Sequence, residues 1–433
     1  MSIIVMLAMI VIQMEIKSLV KSLFPIIVLV MATVYPQNNI DGRFSISSFA
    51  NYSEGFSNRN SLRLKPRLSF DAHHIANSKL SLTGYINADY RQYQNDDQYT
   101  NSKYLRVYNL AFLYDINKST SLTVGRKINP KISNLGVIDG IQIDKSWNKI
   151  SSGLVLGSRP DFNDFRLNLN LFETGVYFGF RKNSHQSIIA IMQQMNRKSI
   201  DRRSLYFTHF NRILDNFRYY FNTDIDLYKK IDGVSKSTFR LTGLYLSITY
   251  KPFKTLSLTT SYNSRKNIIY YATFKTYAEQ LYDDATRKGL KMRINWKPMR
   301  YIYFGANTGY RLKTDDDRSS YNYSLYMGHS NIPKLHMLTR LTLSKITSNY
   351  LDGNIFDIYI SKSLLKNYLT LSSNFKYIDY YYLNTDTSMI QRQISSDISW
   401  QTKNKLYFTL SYIGNFEGSF NYNQIYIIVG QRF

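Results

Sequence analysis

The chain has 433 residues and no cysteine, which excludes a disulfide framework and thiolate metal sites. Proline and glycine are scarce, 8 and 20 residues, which argues against a disordered chain. Acidic residues are outnumbered 30 to 55 by Lys and Arg, a formal charge of +25. Beyond Gln37 no apolar run is long enough to cross a bilayer as a helix. GxSxG, HExxH and P-loop motifs are missing, as is GxGxxG between a strand and a helix. The six histidines, His73, His74, His185, His209, His329 and His336, form no nucleophile–base pattern. Only His73-His74 are adjacent, in a predicted turn. No enzyme activity, cofactor or metal is expected.

What is present is aromatic and alternating. There are 38 Tyr and 25 Phe against 3 Trp, and the mean hydropathy is -0.32. A chain of membrane helices would be far more apolar, whereas a barrel whose residues point alternately outward and inward keeps a near-soluble average. Residues 1–36 read as a secretory signal. Its start is better placed at Met14, with Glu15, Lys17 and Lys21 before the apolar run Leu23–Ala32 and cleavage between Ala32 and Gln37. Residues 37–433 then read as one domain, strand after strand. Leu256, Leu258, Thr260 and Tyr262 alternate with Ser257, Thr259, Ser261 and Asn263. Leu406, Phe408, Leu410 and Tyr412 alternate with Lys405, Tyr407, Thr409 and Ser411. Such segments run to about 9 to 14 residues, the length of a tilted membrane-crossing strand. Connections alternate between long ones (Asn196–Arg203, Lys229–Ser237, Arg265–Arg287, Asp379–Ser388) and short ones (Lys251–Lys254, Thr402–Asn404), the two-sided rule of membrane barrels. Strands at Ile138–Trp147 and Ile150–Ser158 and one long strand Phe165–Phe180 complete about 22 strands, with roughly 18 to 24 as the range.

The last strand, Phe420–Phe433, has Ile425, Ile427, Val429 and Phe433 on one face and ends on Phe433. It resembles the C-terminal signature of Gram-negative outer-membrane β-barrels, whose assembly machinery reads a terminal Phe. The resemblance implies an exported, transmembrane antiparallel β-barrel, porin-like, in contact with outer-membrane lipids, lipopolysaccharide and the barrel assembly machinery. The stretch Gly125–Asp164 (GRKINP, LGVIDGIQIDKSW, GSRPDFND) is similar to outer-membrane barrels of Bacteroidota, and the Asn-, Ile-, Lys- and Tyr-rich composition fits that phylum. Neither resemblance names an activity. A TonB-dependent receptor would need a sizeable N-terminal plug, for which the sequence leaves no room.

Alternation places Leu62, Leu64, Pro66, Leu68 and Phe70 outward, and Arg63, Lys65 and Arg67 inward about 7 Å apart. Arg166, Arg218, Lys291, Arg293 and Arg311 are expected on the inner face by the same rule, against the acids Asp71, Asp89, Asp224, Asp226 and Asp397. Such a lumen would favour small anionic solutes; a polar wall selecting no solute is the bland alternative. In Gly125–Asp164, Arg126, Lys127, Asp139, Asp144, Arg159 and Asp161 are expected to form charge pairs that narrow the lumen, with the glycines at turns. The loop Ile268–Thr286 contains a segment, Tyr277–Ala285, suited to a short helix. The basic short turns (Lys251, Lys254, Lys297, Arg300, Lys334, Lys403, Lys405) suit either anionic head groups or a docked protein. With the cations spread along strands and turns, nucleic acid is not an expected partner. Two functions follow: a channel passing anions by diffusion, or a non-conducting barrel subunit of an outer-membrane complex for secretion, assembly or surface-lipoprotein handling.

Overall fold

The computed structural model describes residues 39–54, 59–95, 98–161, 164–231, 234–266, 286–313, 316–418 and 420–433. The expected secretory signal, residues 1–36 with its start at Met14, and the expected loop segment 268–285 lie outside them. The strands are β1 Ile40–Glu54, β2 Arg59–Ala72, β3 Leu80–Asn95, β4 Gln98–Asn117, β5 Thr120–Ile128, β6 Val137–Trp147, β7 Ile150–Ser158, β8 Leu171–Lys182, β9 His185–Asn196, β10 Ser199–Leu214 and β11 Phe217–Ile231. They continue with β12 Val234–Phe253, β13 Leu256–Lys266, β14 Thr286–Trp296, β15 Ile302–Lys313, β16 Asp316–Ile332, β17 Met337–Ser348, β18 Leu351–Leu364, β19 Leu369–Tyr382, β20 Thr387–Gln401, β21 Leu406–Glu417 and β22 Phe420–Arg432.

Each strand pairs antiparallel with its neighbour in sequence, and β22 pairs back onto β1, so the sheet closes as a 22-stranded barrel. Closure leaves no sheet edge. Strand spacing and tilt make such a barrel about 40 Å across. The C-terminal residue completes the seam. Phe433 N–H donates to Gly42 O at 3.1 Å and Gly42 N–H to Phe433 O at 3.2 Å. The Phe433 ring lies over Gly42, where a Cβ would fall 2.2 Å from a ring carbon, so a side chain at position 42 would push the terminal ring off the seam.

The strands are longer, and the connections shorter, than expected. The segment Asn196–Arg203 reduces to the turn Arg197–Lys198, and Asp379–Ser388 to Leu383–Asp386. Two-residue turns such as Asn148–Lys149 and Arg197–Lys198 occur at both ends of the barrel, so the two-sided length rule does not hold for these connections. The physical reason is that a polar strand tip, paired beyond the apolar belt, has the composition of a loop. Lengths run from 9 residues in β5 and β7 to 20 in β4 and β12. The long strand expected at Phe165–Phe180 is corrected: residues 159–170 are a connection, and β8 begins at Leu171. Phe165 has φ +60° and its backbone N–H donates to Asp161 O at 3.1 Å, a local turn with no ladder partner.

Register sorts the two faces. In β8, Tyr177 is 1% exposed and Phe178 59%, so alternate residues lie in different surroundings. Outward-facing Ile294, Leu325 and Leu343 are opposed in consecutive pairs through Ala306, and all three are exposed. The barrel is inside out. Large apolar side chains cover the outer face, while Ser45, Ser47, Asp89, Gln142, Glu173 and Asp226 are buried on the inner one.

Candidate functional site

The lumen wall is the candidate site, and it has two unlike halves. The first runs from β2 to β12. Arg63, Lys65 and Arg67 do share the inner face, opposite Phe49, Ser47 and Ser45 of β1, but they are not a free cation ladder. Asp89 on β3 accepts from Arg63 Nε at 2.8 Å and from Arg91 Nη2 at 2.9 Å, and Arg63 and Arg91 face each other directly across the β2–β3 pair. Asp226 is held in the same way, by Arg202 Nε at 2.9 Å and Arg240 Nη2 at 3.2 Å. Among the described residues the ion pairs all lie between Arg63 and Arg240.

A direct test of this arrangement is Asp89→Asn. Two guanidiniums in register would lose the shared carboxylate. The variant should fold with stability lower by about 2 kcal/mol, less than a fully buried pair would lose because both arginines are partly exposed. Urea titration of the folded protein in detergent measures it; an unchanged midpoint would mean that the carboxylate does not hold the pair.

The same half is covered from inside by two connections. Between β5 and β6, residues 129–136 turn back into the barrel. Asn129 Nδ2 donates to Asp144 Oδ1 at 3.2 Å and its Oδ1 accepts from Lys131 N–H at 2.9 Å. Ile132 and Leu135, 0% and 6% exposed, join Ile138, Val155, Tyr177, Ile188, Ala190, Met192 and Tyr206 in an apolar cluster on the inner wall. Gly175 leaves the space: a Cβ there would sit 3.0 Å from Ile132 Cδ1 and 3.3 Å from Leu135 Cδ2. Asn134 Nδ2 reaches across to Asp224 Oδ1 on β11 at 2.7 Å. Tyr177 donates its hydroxyl to Asp144.

The second connection, residues 159–170, joins β7 to β8. The Phe165 ring packs on Tyr108 at 4.8 Å, and Tyr108 stacks on Tyr85 at 5.4 Å. Arg126 ties it down, its Nη1 donating to Phe165 O at 2.7 Å and Val107 O at 2.8 Å while Nε and Nη2 grip Asp139 at 2.5 and 2.6 Å. Arg159 Nη1 reaches Glu173 Oε1 at 3.4 Å and Gln194 Oε1 at 3.3 Å.

Of the residues expected to narrow the lumen, Asp144 is thus brought to Asn129 and Tyr177 and Arg159 to Glu173, whereas Arg126 and Asp139 pair on the register row of outward-facing Leu110 and Phe172. Lys127 opposes Ile138 in the β5–β6 ladder. Asp161 turns its carboxylate onto Asp164 N–H at 3.4 Å within the connection. Arg166 is corrected. It is no strand residue but an exposed loop residue, its Nε 3.1 Å from Asp164. Of the glycines expected at turns, Gly136 lies in the connection before β6 with φ +89°, but Gly125, Gly140 and Gly157 are corrected: they oppose one another inside strands.

Among the described residues, the second half, from β13 to β22, has no such inner cover. Lys291, Arg293 and Arg311 lie on its inner face with Ser261, Thr259 and Gly289 as ladder partners. A recess of about 600 Å³ on this wall is bordered by Arg293, Asn307, Tyr326, Arg340, Asp357 and Lys376. Arg293 Nε donates to Asn307 Oδ1 at 2.9 Å, and Asp357 Oδ2 accepts from Asn374 Nδ2 at 2.7 Å. Arg340 and Lys376 were missed in the sequence reading. The alternation of Leu341 and Leu343 with Arg340 and Thr342 carries the signal for the first. Arg218 is inward as well, opposite Arg212 and Thr249. Asp71, Asp224 and Asp397 take inner-face register positions, opposite Thr83, Tyr206 and Ser411.

No protein-family model matches this chain, and no curated protein sequence does. Among solved structures, the fold is similar to the translocation pore of the P pilus usher PapC, with 10% identity and a TM-score of 0.50 over 90% of this chain and 99% of that one. It is also similar to a chain of the Escherichia coli P pilus tip assembly intermediate PapC-PapD-PapK-PapG, with 10% identity and a TM-score of 0.52 over 92% of this chain and 62% of that one. Pseudomonas aeruginosa OccK7 (OpdD) aligns at 10% identity and a TM-score of 0.46 over 92% of this chain and 99% of that one. At such identities the likeness to the usher pore is one of fold.

Proposed function

We propose that the chain is a porin-like channel of a Gram-negative outer membrane, with a basic lumen that passes small anionic solutes by diffusion and makes no covalent step. The observation that carries it is the inside-out wall. An apolar outer face on a closed barrel suits lipid, and a polar inner face with Lys291, Arg293, Arg311, Arg340 and Lys376 between β13 and β22 suits anions in water. Selectivity arises mainly on that half, because on β2 and β3 the guanidiniums of Arg63 and Arg91 are already answered by Asp89.

Single-channel conductance of the purified protein in a planar bilayer under a salt gradient tests the reading. The expected result is a steady anion-selective current. Reversing Arg293, Arg340 and Lys376 to Glu should carry the reversal potential towards cations. The same reversal at Arg63, Lys65 and Arg67 should move it less. A barrel silent over many insertions would overturn the channel.

The second reading is a non-conducting barrel subunit of an outer-membrane complex. The inward cover of residues 129–136 and 159–170 favours it, since it fills lumen that a simple diffusion pore would leave open. The usher pore of similar fold is described within an assembly of several proteins, the kind of setting this reading implies. A silent barrel that copurifies with a stoichiometric partner would support it.

A further inference from the structure

The end of the barrel that carries the C-terminus is ringed by two kinds of residue. All three tryptophans of the chain lie there. Trp147 closes β6, Trp296 closes β14, and Trp400 is the last residue but one of β20. Each takes an outward register position, paired with Ile150, Phe304 and Phe408 respectively, and each is about half exposed, at 47%, 47% and 46%. Just beyond them in the chain come cations: Lys149, Lys297 and Lys403, all exposed. The pattern does not stop at these three turns. Lys254, Lys334 and Lys366 are exposed in their own turns, and a lysine lies in or beside every turn of this end except Asp215–Asn216. Lys145, outward on β6, folds its ammonium over the Trp147 ring at 4.7 Å.

Indole prefers the boundary between hydrocarbon and head groups, and a lysine there extends its stem along the apolar surface while its ammonium reaches the polar layer. The tryptophans therefore fix the level of one bilayer surface, and the lysines stand one step outside it, at phosphate depth. We infer that this lysine ring is a binding annulus for anionic lipid head groups, selecting phospholipids with net negative charge over zwitterionic ones in the leaflet at the C-terminal end. It rests on the reading of the chain as a membrane barrel. A lipid annulus is favoured over an acidic protein because the cations go round the rim. A docked protein of finite width would call for one basic arc. Among the described residues no carboxylate lies within ion-pair distance of Lys149, Lys297 or Lys403, so the ammonium groups are available to an external anion.

The tryptophans are also the native probe. The full chain would be reconstituted in phosphatidylcholine vesicles containing either phosphatidylglycerol or phosphatidylcholine with brominated acyl chains, and indole quenching compared. Brominated phosphatidylglycerol should quench at lower mole fraction, with an apparent preference of about threefold or more. The preference should fall towards one in the triple variant Lys149→Gln, Lys297→Gln, Lys403→Gln. It should also shrink for the unaltered chain in about 0.5 M salt, a measurement that needs no variant. Equal quenching by the two lipids would overturn the inference and is the result an acidic protein partner would leave. A preference that survives both the substitutions and the salt would overturn it as well. Absence of quenching by either lipid would instead remove the membrane-barrel reading on which it rests.

Discussion

Gly140→Val should prevent the barrel from closing stably, with a loss of about 3 kcal/mol or more. Gly125, Gly140 and Gly157 form one row, each directly opposite the next across β5, β6 and β7. Ala111 precedes the row on β4 and Glu173 follows it on β8. The neighbouring backbones come so close here that side chains do not fit. A Cβ on Gly140 would lie 2.1 Å from Leu156 O and 2.6 Å from the Gly157 Cα. On Gly157 it would lie 2.4 Å from Asp139 O, and on Gly125 2.4 Å from Leu110 O, with φ +123° besides. These obstacles are backbone atoms held in a ladder, so no rotamer change relieves them. Glycine inside a strand marks such a tight bend at a barrel corner. Heat-modifiable gel mobility and urea titration of the refolded protein would read the effect. Gly289→Ala is the control. Its nearest obstacle is Tyr310 O at 3.6 Å, ordinary contact, and it should change stability by less than about 1 kcal/mol. If both variants behaved alike, strand glycine as such would be the cause, and the corner would not be special.

The architecture was legible because period two survives in nearly every segment. Leu62 to Phe70 and Leu290 to Trp296 each commit one face to apolar residues, and a one-residue slip would exchange the faces. An antiparallel meander of neighbours then needs no long-range information beyond closure, and the terminal face of Ile425, Ile427, Val429 and Phe433 supplied that. Strand ends were not legible. In Asn196–Arg203 or Asp379–Ser388, Asn196, Ser199, Asp379 and Ser388 sit on ladder positions outside the apolar belt, and composition cannot tell them from a loop. The lumen was half legible. Alternation put Arg63 and Lys65 inward, but it is local to one strand. That Asp89 answers Arg63 and Arg91 depends on the offset between β2 and β3, which the turn at His73–Lys79 sets. The inner cover was least legible. Residues 129–136 carry two apolar side chains, Ile132 and Leu135, on a short stretch with no periodicity. Their partners Tyr177, Ala190 and Met192 lie on the inward face of β8 and β9, which therefore looks apolar on both sides. That double apolarity, Val176 and Phe178 outward with Tyr177 and Gly175 inward, is the one trace in the sequence that something covers the wall.

Releasing that cover should open the lumen. Ile132→Ser with Leu135→Ser removes the two side chains that anchor residues 129–136 to the wall. Each site should forfeit about 2–5 kcal/mol of local packing, as for deletion of a buried aliphatic side chain, and the two remaining side-chain bonds, Asn129 to Asp144 and Asn134 to Asp224, should not hold the segment in their place. The barrel itself should survive, because the ladders of β5 to β9 run between backbones and the altered residues lie in none of them. The expected results are an unchanged heat-shifted band on gels, new protease cleavage within 129–136, and a larger single-channel conductance than that of the unaltered chain. The comparison also separates the two functions. If the unaltered barrel already conducts and the variant conducts more, the cover narrows an eccentric pore whose opposite wall is β13 to β22. If the unaltered barrel is silent and the variant conducts, the cover is a plug, and the chain belongs with partners that displace it. Unchanged conductance despite new cleavage would show that residues 129–136 lie clear of the ion path, leaving the connection 159–170, with Phe165 against Tyr108, as the element that sets the width of the lumen.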